Sequence, residues 1–441
     1  MIFKRMREQI LDKAIRGQLV PQLAEDGVVE QIGDAPSEVP FEIPSSWIWV
    51  KLGNLISVIA GTSYKKSDIT SSNQDVRIIR GGNLKDFKIS LLDDDVFVSQ
   101  SLADSSKEIQ HDDIVIVAST GSKDVIGRAA IYAESNKAQI GAFLRIIRPK
   151  KPDYADYLKL IFRSDFYNMH IRSSVKGTNI NNIKKEYITD FYIPLPPLAE
   201  QKRIASKIES LFGEIDCAEK AYEELQSLAN VLKSQILQKA IQGKLVPQLP
   251  EDGVVDQICE APAEVPFGIP DSWKWQTLES LSIKIGDGLH GTPEYVEDSC
   301  YFFINGNNLR DGQIVVDEKT KRISFDTYQR LHVDLDSSTL LLSINGTIGS
   351  TAFYNDEKVA LGKSACYINL GLDLDKHFLN LVVKSKYFEE FAKNKSTGTT
   401  IRNLGLKAIR SWYIPLPPLA EQKRIVAKVN ALFEQIDLMT K

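Results

Sequence analysis

Cysteine and histidine are scarce here, and neither clusters. Cys217, Cys259, Cys300 and Cys366 all lie more than forty residues apart. No pair has the close spacing of a zinc knuckle or a dithiol motif, so reduced thiols are expected. His111, His170, His290, His332 and His377 are equally scattered, and no metal site is expected. No apolar run approaches the roughly 18 residues of a membrane span. The start, Met1-Ile-Phe-Lys-Arg-Met-Arg-Glu8, is charged too early for a secretory signal. The expected location is the cytoplasm, with no membrane contact.

Positive charge is also not in excess. Lysine and arginine number 54 against 58 acidic residues, a net charge of −4. The chain is no polycation, so any contact with nucleic acid must come from local patches. Catalytic signatures are missing as well. Gly362-Lys-Ser364 has the ending of a phosphate-binding loop, but Glu357 stands where the first glycine belongs. There is no GxSxG and no HExxH. The Asn/Asp-Pro-Pro-Tyr/Phe motif of amino-methyltransferases is absent, because both Pro-Pro pairs, 196–197 and 417–418, follow leucine. What remains is an ordinary globular composition, 43% hydrophobic and 25% charged, in 441 residues, enough for two to three domains.

The chain is written twice. Tyr192-Ile-Pro-Leu-Pro-Pro-Leu-Ala-Glu-Gln-Lys-Arg-Ile204 recurs unchanged as Tyr413–Ile425. Leu11-Asp-Lys-Ala-Ile-Arg-Gly-Gln-Leu-Val-Pro-Gln-Leu23 returns, slightly altered, as Leu237–Leu249, and Glu25-Asp-Gly-Val-Val29 as Glu251–Val255. Trp47 and Trp273 follow at the same offset. Between these anchors only fragments correspond, such as Ile79-Arg-Gly-Gly-Asn-Leu84 with Ile304-Asn-Gly-Asn-Asn-Leu309. A period above 200 residues is too long for a solenoid. It reads as duplication of a whole domain with its connector. The connectors keep one geometry while each domain is free to recognise something different.

The connector is helical. After Pro196-Pro197, apolar residues fall at Ile208, Leu211, Ile215, Ala218, Tyr222, Leu225, Ala229, Leu232 and Ile236, in alternating steps of three and four. That heptad seam needs a partner helix. Proline suits the first turn, Glu200 the positive end of the dipole, and Gly243 the stop. The C-terminal residues Val429, Leu432, Ile436 and Met439 repeat the first half of the seam, and Phe3, Met6 and Ile10 repeat the second. The two chain ends thus add up to one more helix, antiparallel to the central one. The same seam could instead pair two separate chains.

The expected domains are therefore 1–24, an N-terminal helix; 25–197, a first recognition domain with its tie; 198–245, the central helix; 246–418, a second recognition domain with its tie; and 419–441, a C-terminal helix. Residues 45–197 and 271–418 read as mixed α/β, with strand-like runs such as Ile114–Ala118 and Leu340–Ile344. The first holds 21 basic and 17 acidic residues, the second 17 and 18. The late stretches, 155–189 and 376–410, are more basic, with 6 against 3 and 8 against 2.

Two loops of each domain are candidates for nucleic-acid contact. One follows the late helix and carries Lys176, Thr178, Asn179 and Lys184 in the first copy, and Lys395, Thr399, Thr400 and Arg402 in the second. Glycine allows close approach there, and lysine, hydroxyl and amide can donate to phosphate. The other loop lies early, with Thr62, Lys65 and Lys66, and His290 and Thr292. Arg80, in the shared Ile79–Leu84 fragment, joins the set. The plain alternative is solvated turns joining strands. His290 invites a base or metal role, but no convergent Asp, His or Cys supports one.

The doubled Ile193-Pro-Leu-Pro-Pro-Leu-Ala-Glu-Gln-Lys-Arg-Ile204 motif and the Lys-Ala-Ile-x-Gly-x-Leu-Val-Pro-Gln motif at 13–22 and 239–248 resemble the specificity subunits of Type I restriction-modification systems across essentially the whole chain. The resemblance implies an α/β fold class with two similar target-recognition domains separated by a long antiparallel two-helix coiled coil, a pseudo-twofold duplication. It implies a non-catalytic subunit that reads a bipartite, asymmetric double-stranded DNA target. The implied partners are two modification subunits, which methylate adenine with S-adenosylmethionine, and restriction subunits, which cleave using ATP and Mg. No cofactor is expected in this chain. The proline-and-helix segments, Pro194, Pro196, Pro197, Glu200 and Gln201 with Pro415, Pro417, Pro418, Glu421 and Gln422, are the expected partner surface. The competing readings are a fused methyltransferase or nuclease, and a spacer holding two non-DNA partners apart. If the central helix is a ruler, deleting one heptad from it and from its match shortens it by roughly 10 Å. The preferred gap between DNA half-sites should then shrink by about 3 base pairs, at about 3.4 Å each. Selection from a pool of duplexes with varied gaps would check this, and an unchanged gap would refute the ruler.

Overall fold

The computed structural model describes residues 2–440 apart from 73, 123, 133–137, 176–180 and 399–401. The chain forms two compact units, Met1–Ala221 and Tyr222–Lys441. The division falls inside one continuous helix, Leu198–Ile241, so each unit takes one half of it.

Each unit is built around the same antiparallel sheet. In the first, Ile56–Ala60, Leu144–Pro149, Ile114–Val117 and Ala129–Ile131 lie side by side in that order, extended by two short strands. In the second, Ser282–Asp287, Ala365–Leu370, Thr339–Ser343 and Thr351–Phe353 do the same. Ile114–Val117, Thr339–Ser343 and Ala365–Leu370 are buried along their whole length, which explains why they read as continuous apolar runs rather than alternating ones. One face carries the late helices, Ala155–Arg163 and Asp165–Ser174 in the first unit, Lys376–Val383 and Lys386–Lys395 in the second. Ser164 caps one of these helices through the Tyr167 amide, and Asp375 another through the amides of His377 and Phe378.

The repeated motif forms a second structure, a two-stranded ribbon. Ile48–Lys51 pairs with Tyr192–Leu195, placing Trp49 opposite Pro194. Lys274–Thr277 pairs with Tyr413–Leu416, placing Trp275 opposite Pro415. A proline cannot donate to a ladder, so it is tolerated in a ribbon this narrow. The helix begins directly after. The side-chain amide of Gln201 donates to the Pro196 carbonyl at 2.8 Å, and that of Gln422 to Pro417 at 2.9 Å.

This geometry corrects the expected partner surface. Pro194, Pro196, Pro197, Glu200 and Gln201 are all buried, as are Pro415, Pro417, Pro418, Glu421 and Gln422. They are committed within their own units and offer no surface to another protein. Glu200, 1% exposed, accepts from the Trp47 indole at 2.9 Å and from the Gln22 amide at 2.7 Å. Glu421 accepts from Trp273 and Gln248, both at 2.9 Å. Burial pushes the Glu200 carboxyl above its ordinary range, against the pull of these donors. One turn further on, Arg203 grips Asp26 with both guanidinium branches, and Arg424 grips Asp252. The tie running from one helix to the domain is thus fastened to the start of the other helix.

The helical expectations hold in part. The N-terminal helix covers Ile2–Ile15, shorter than the 1–24 expected, because Gly17 turns the chain at φ +70°. It runs antiparallel to the first half of the central helix: Arg7 pairs with Asp216 and Glu219, whereas Gln22 reaches Glu200. The C-terminal helix, Leu419–Met439, runs antiparallel to the other half. Thr440 accepts from Tyr222 and Gln226, and Gln248 reaches Glu421. Ile208, Ile215, Ala229 and Ile236 of the seam are buried, but Ala218, Tyr222, Leu225 and Leu232 are exposed, as is Met6. Phe212, Leu237 and Ile241, off the seam, are buried instead. The reason is that each half-helix packs into its unit's α/β core as well as against its terminal helix.

Gly243 sits at φ +68°, and a Cβ there would lie 2.4 Å from Pro270 Cγ. Gly243→Ala should therefore cost about 1–3 kcal/mol in unfolding experiments. Gly268→Ala, in open space at ordinary φ, should change stability little. The ion-paired carboxyls set a pH dependence. Arg203 holds Asp26 below its ordinary range, and Arg424 does the same to Asp252. A carboxyl depressed by folding adds stability above its ordinary pKa and loses it as pH falls through the lowered value. Asp26→Asn and Asp252→Asn should each flatten the acid limb of a stability-against-pH curve. Wild-type slopes retained in both variants would refute the assignment.

Candidate nucleic-acid interface

Three shared turns meet at one edge of the central sheet in each unit. In the first, Thr62 pairs in parallel fashion with Gly141, the amides of Ala118 and Ser119 donate to the Phe143 carbonyl, and Asn181–Asn182 pairs with Ser119–Thr120. In the second, Leu289 pairs with Gly362, the Ile344 amide donates to the Ser364 carbonyl, and Asn403 bridges both Asn345 and Thr397. The early loop, the strand turn and the loop after the late helix are thereby tied together. The candidate loops therefore share this edge.

The early glycines serve this joint. A Cβ on Gly61 would lie 2.1 Å from the Gly141 carbonyl oxygen, and one on Gly288 would lie 1.9 Å from that of Leu361. The close approach is to the protein's own backbone. Thr62 likewise turns inward. It is buried, and its hydroxyl donates to Gln139 Oε1 at 2.8 Å, so it is not available to DNA. Lys65, Lys66 and Thr292 are exposed. His290 is exposed and shares a 2.7 Å hydrogen bond with Asp287, a pair with no third ligand beside it. Among the described residues no three His, Cys, Asp or Glu side chains converge as a metal site.

Arg80 is partly spent inside the unit. Its guanidinium donates to the Asp94 carbonyl at 2.8 Å and lies 3.3 Å from the Asp94 carboxylate. The shared fragment around it is a structural turn: Asn83 accepts from the Arg80 amide and donates to the Ser90 carbonyl, while Asn308 accepts from Asn305 and donates to Val315. Lys184, Lys395 and Arg402 are exposed. Lys176, Thr178, Asn179, Thr399 and Thr400 lie outside the described residues.

The second unit adds a groove of about 940 Å³ that the sequence reading missed. It is lined by the Gly346–Thr351 turn, the end of Lys376–Val383 and one side of Lys386–Lys395. Arg310, Lys384, Lys393 and Arg402 line it against two carboxylates, Asp311 and Glu389. Among the described residues, none of these four cations has an ion-pair partner. The open groove beside the early loop of the first unit, about 600 Å³, contains one cation, Lys107, paired with Asp104 at 3.2 Å. The available signal was the Asn345-Gly-Thr-Ile-Gly-Ser350 run directly after an apolar strand, matched by Ser119-Thr-Gly-Ser122 in the first copy.

Comparison with known proteins agrees with this architecture. The family model described as the Type I restriction modification DNA specificity domain matches residues 44–227 and 301–441. The StySPI specificity subunit of a Type I restriction enzyme from Salmonella potsdam is 27% identical over 91% of this chain and 85% of its own length. The EcoKI specificity subunit from Escherichia coli K12 is 26% identical over the same shares. Among solved structures, a chain from a study of complex assembly and conformational transition of the type I R-M system matches with TM-score 0.65 at 20% identity, covering 91% of this chain and 93% of that one. The HsdS subunit from Thermoanaerobacter tengcongensis matches with TM-score 0.53, also at 20% identity, over 90% and 92%. At that identity the likeness concerns the fold. With two matched regions that together span most of its length, the chain belongs to the Type I restriction modification DNA specificity domain family.

Proposed function

We propose that this chain is the DNA-reading subunit of a Type I restriction-modification complex, each unit reading one half of a bipartite, asymmetric duplex target. One observation carries the reading: the two units share a frame and differ at their tips. Sheet order, ribbon register and the buried Trp–Glu contact repeat. The turns at the shared edge carry different side chains, Lys65 and Lys66 against His290 and Thr292, and Ser119-Thr-Gly against Asn345-Gly-Thr. Identical tips would read a palindrome, whereas dissimilar tips suit two unrelated half-sites.

In this reading the chain carries no chemistry of its own. Adenine methylation with S-adenosylmethionine belongs to two modification subunits, and ATP- and Mg-dependent cleavage to restriction subunits. Their docking surface must lie on exposed parts of the chain, because the repeated proline and Glu-Gln positions are buried. A net charge of −4 fits a reader whose electrostatic grip on DNA is local and shared with its partners.

Lys395→Ala and Arg402→Ala should each weaken binding to all sequences and lower the slope of log affinity against log salt by about 1. Gel shifts of the full chain, with and without its modification subunit, on a pool of random duplexes provide the measurement. Retained slopes in both variants would remove this edge from the phosphate contact. Failure of the wild-type chain to shift any duplex, alone or with its partner, would favour the spacer reading.

A further inference from the structure

The strand turn at the shared edge holds a residue that neither the repeat nor the charge pattern singles out. Phe143 is 69% exposed, and no other Phe, Tyr or Trp among the described residues of the first unit matches it. A single exposed apolar side chain is ordinary by itself. Here the backbone beneath it is pinned. The Phe143 carbonyl accepts from Ala118 at 2.8 Å and Ser119 at 3.0 Å. Gly141, two residues earlier, donates to Ile79 at 2.9 Å, and Leu144 donates back to Gly141 at 2.9 Å. The Arg145 guanidinium donates to the Ala142 carbonyl at 2.9 Å. The ring itself touches no aromatic or cationic side chain among the described residues. It therefore stands on a fixed turn, between the Thr62–Lys66 loop and the Ser119–Thr120 pairing, left mostly uncovered by the described residues of its own unit.

The repeat sharpens the point. Ser364 occupies the equivalent position in the second unit, its carbonyl accepting from Ile344 at 3.0 Å. Its side chain turns inward, donating to Asn305 Oδ1 at 3.0 Å and accepting from the Gly306 amide at 2.9 Å. The frame does not require an outward apolar group at this position, because the second copy is built without one.

We infer that Phe143 is a specificity-determining residue of the first unit, making an apolar contact with a base in its DNA half-site. The inference rests on the DNA-reading role proposed above. An apolar side chain can pack on a thymine methyl in the major groove or wedge against a base step. Both use the apolar surface of a base, and the pinned backbone beneath the ring needs no ordering on contact.

The test is sequence selection from a random duplex pool by the full chain with its modification subunits, comparing wild type, Phe143→Ala and Phe143→Leu. Phe143→Ala should lose about tenfold of its discrimination at one or two adjacent positions of one half-site, leaving the other half-site unchanged. Phe143→Leu should keep most of it. Replacing thymine by uracil at those positions should reproduce the loss if the methyl is read. A wild-type-dependent rise in fluorescence of an adjacent 2-aminopurine should appear instead if a step is opened. An unchanged preference in Phe143→Ala, or a loss accompanied by neither signal, would overturn the inference. A wild-type complex that selects no sequence would overturn the DNA-reading role on which it rests.

Discussion

One buried carboxylate in each unit holds the scaffold together. Glu200 stands at the first turn of a long helix, where the unpaired amides favour negative charge. Water is excluded there, so the charge depends on donors, and these come from distant sequence: an indole 153 residues away and a side-chain amide 178 residues away. Glu421 solves the same problem with Trp273 and Gln248. An unsatisfied carboxylate at such a site would cost several kcal/mol. Helix start, tie and ribbon therefore form as one piece. The Arg203–Asp26 and Arg424–Asp252 pairs sit one turn beyond and fix the same junction from its wetter side.

That constraint explains why sequence reasoning recovered the architecture and mistook the role of its clearest motif. Thirteen identical residues announce a repeated structure, and the spacing announces a helix. Proline, glutamate and glutamine are usually surface residues, so the motif reads as an exposed patch. Nothing local discloses that Trp47 and Trp273 descend onto the carboxylates and close the site. The signal was present, because both tryptophans keep the offset of the tie motif, but linking them to Glu200 and Glu421 needs the fold. The heptad seam shows the same limit. Alternating spacing locates a buried stripe, yet it does not say whether the covering surface is one helix or an α/β core. Phe212 and Leu237 are buried because it is both.

Glycine and threonine at the recognition edge were misread for a related reason. Gly61 permits a close approach and Thr62 makes a hydrogen bond, as those residue types suggest, but their partners are Gly141 and Gln139 of the same unit. A loop that must hold its shape against a ligand first needs internal contacts. The residues left over, Lys65, Lys66, Lys184, Lys395 and Arg402, with Arg310, Lys384 and Lys393 of the second unit's groove, are exposed and cationic.

The division between frame and tips also bears on how such a chain can change. The Trp–Glu hydrogen bond at the helix start is buried in both units, and the ribbon register and the order of the four central strands repeat. Side chains at the edge are attached through backbone hydrogen bonds, which do not depend on residue type. The carbonyls of Phe143 and Ser364 are held alike although one side chain points outward and the other inward. A substitution at the edge can therefore alter what is touched without disturbing what holds it, whereas one at the Trp–Glu junction threatens the fold and leaves the edge chemistry as it was. Backbone-anchored turns on a side-chain-locked scaffold separate recognition from stability, and this separation lets two copies of one domain carry different edges at equal structural cost.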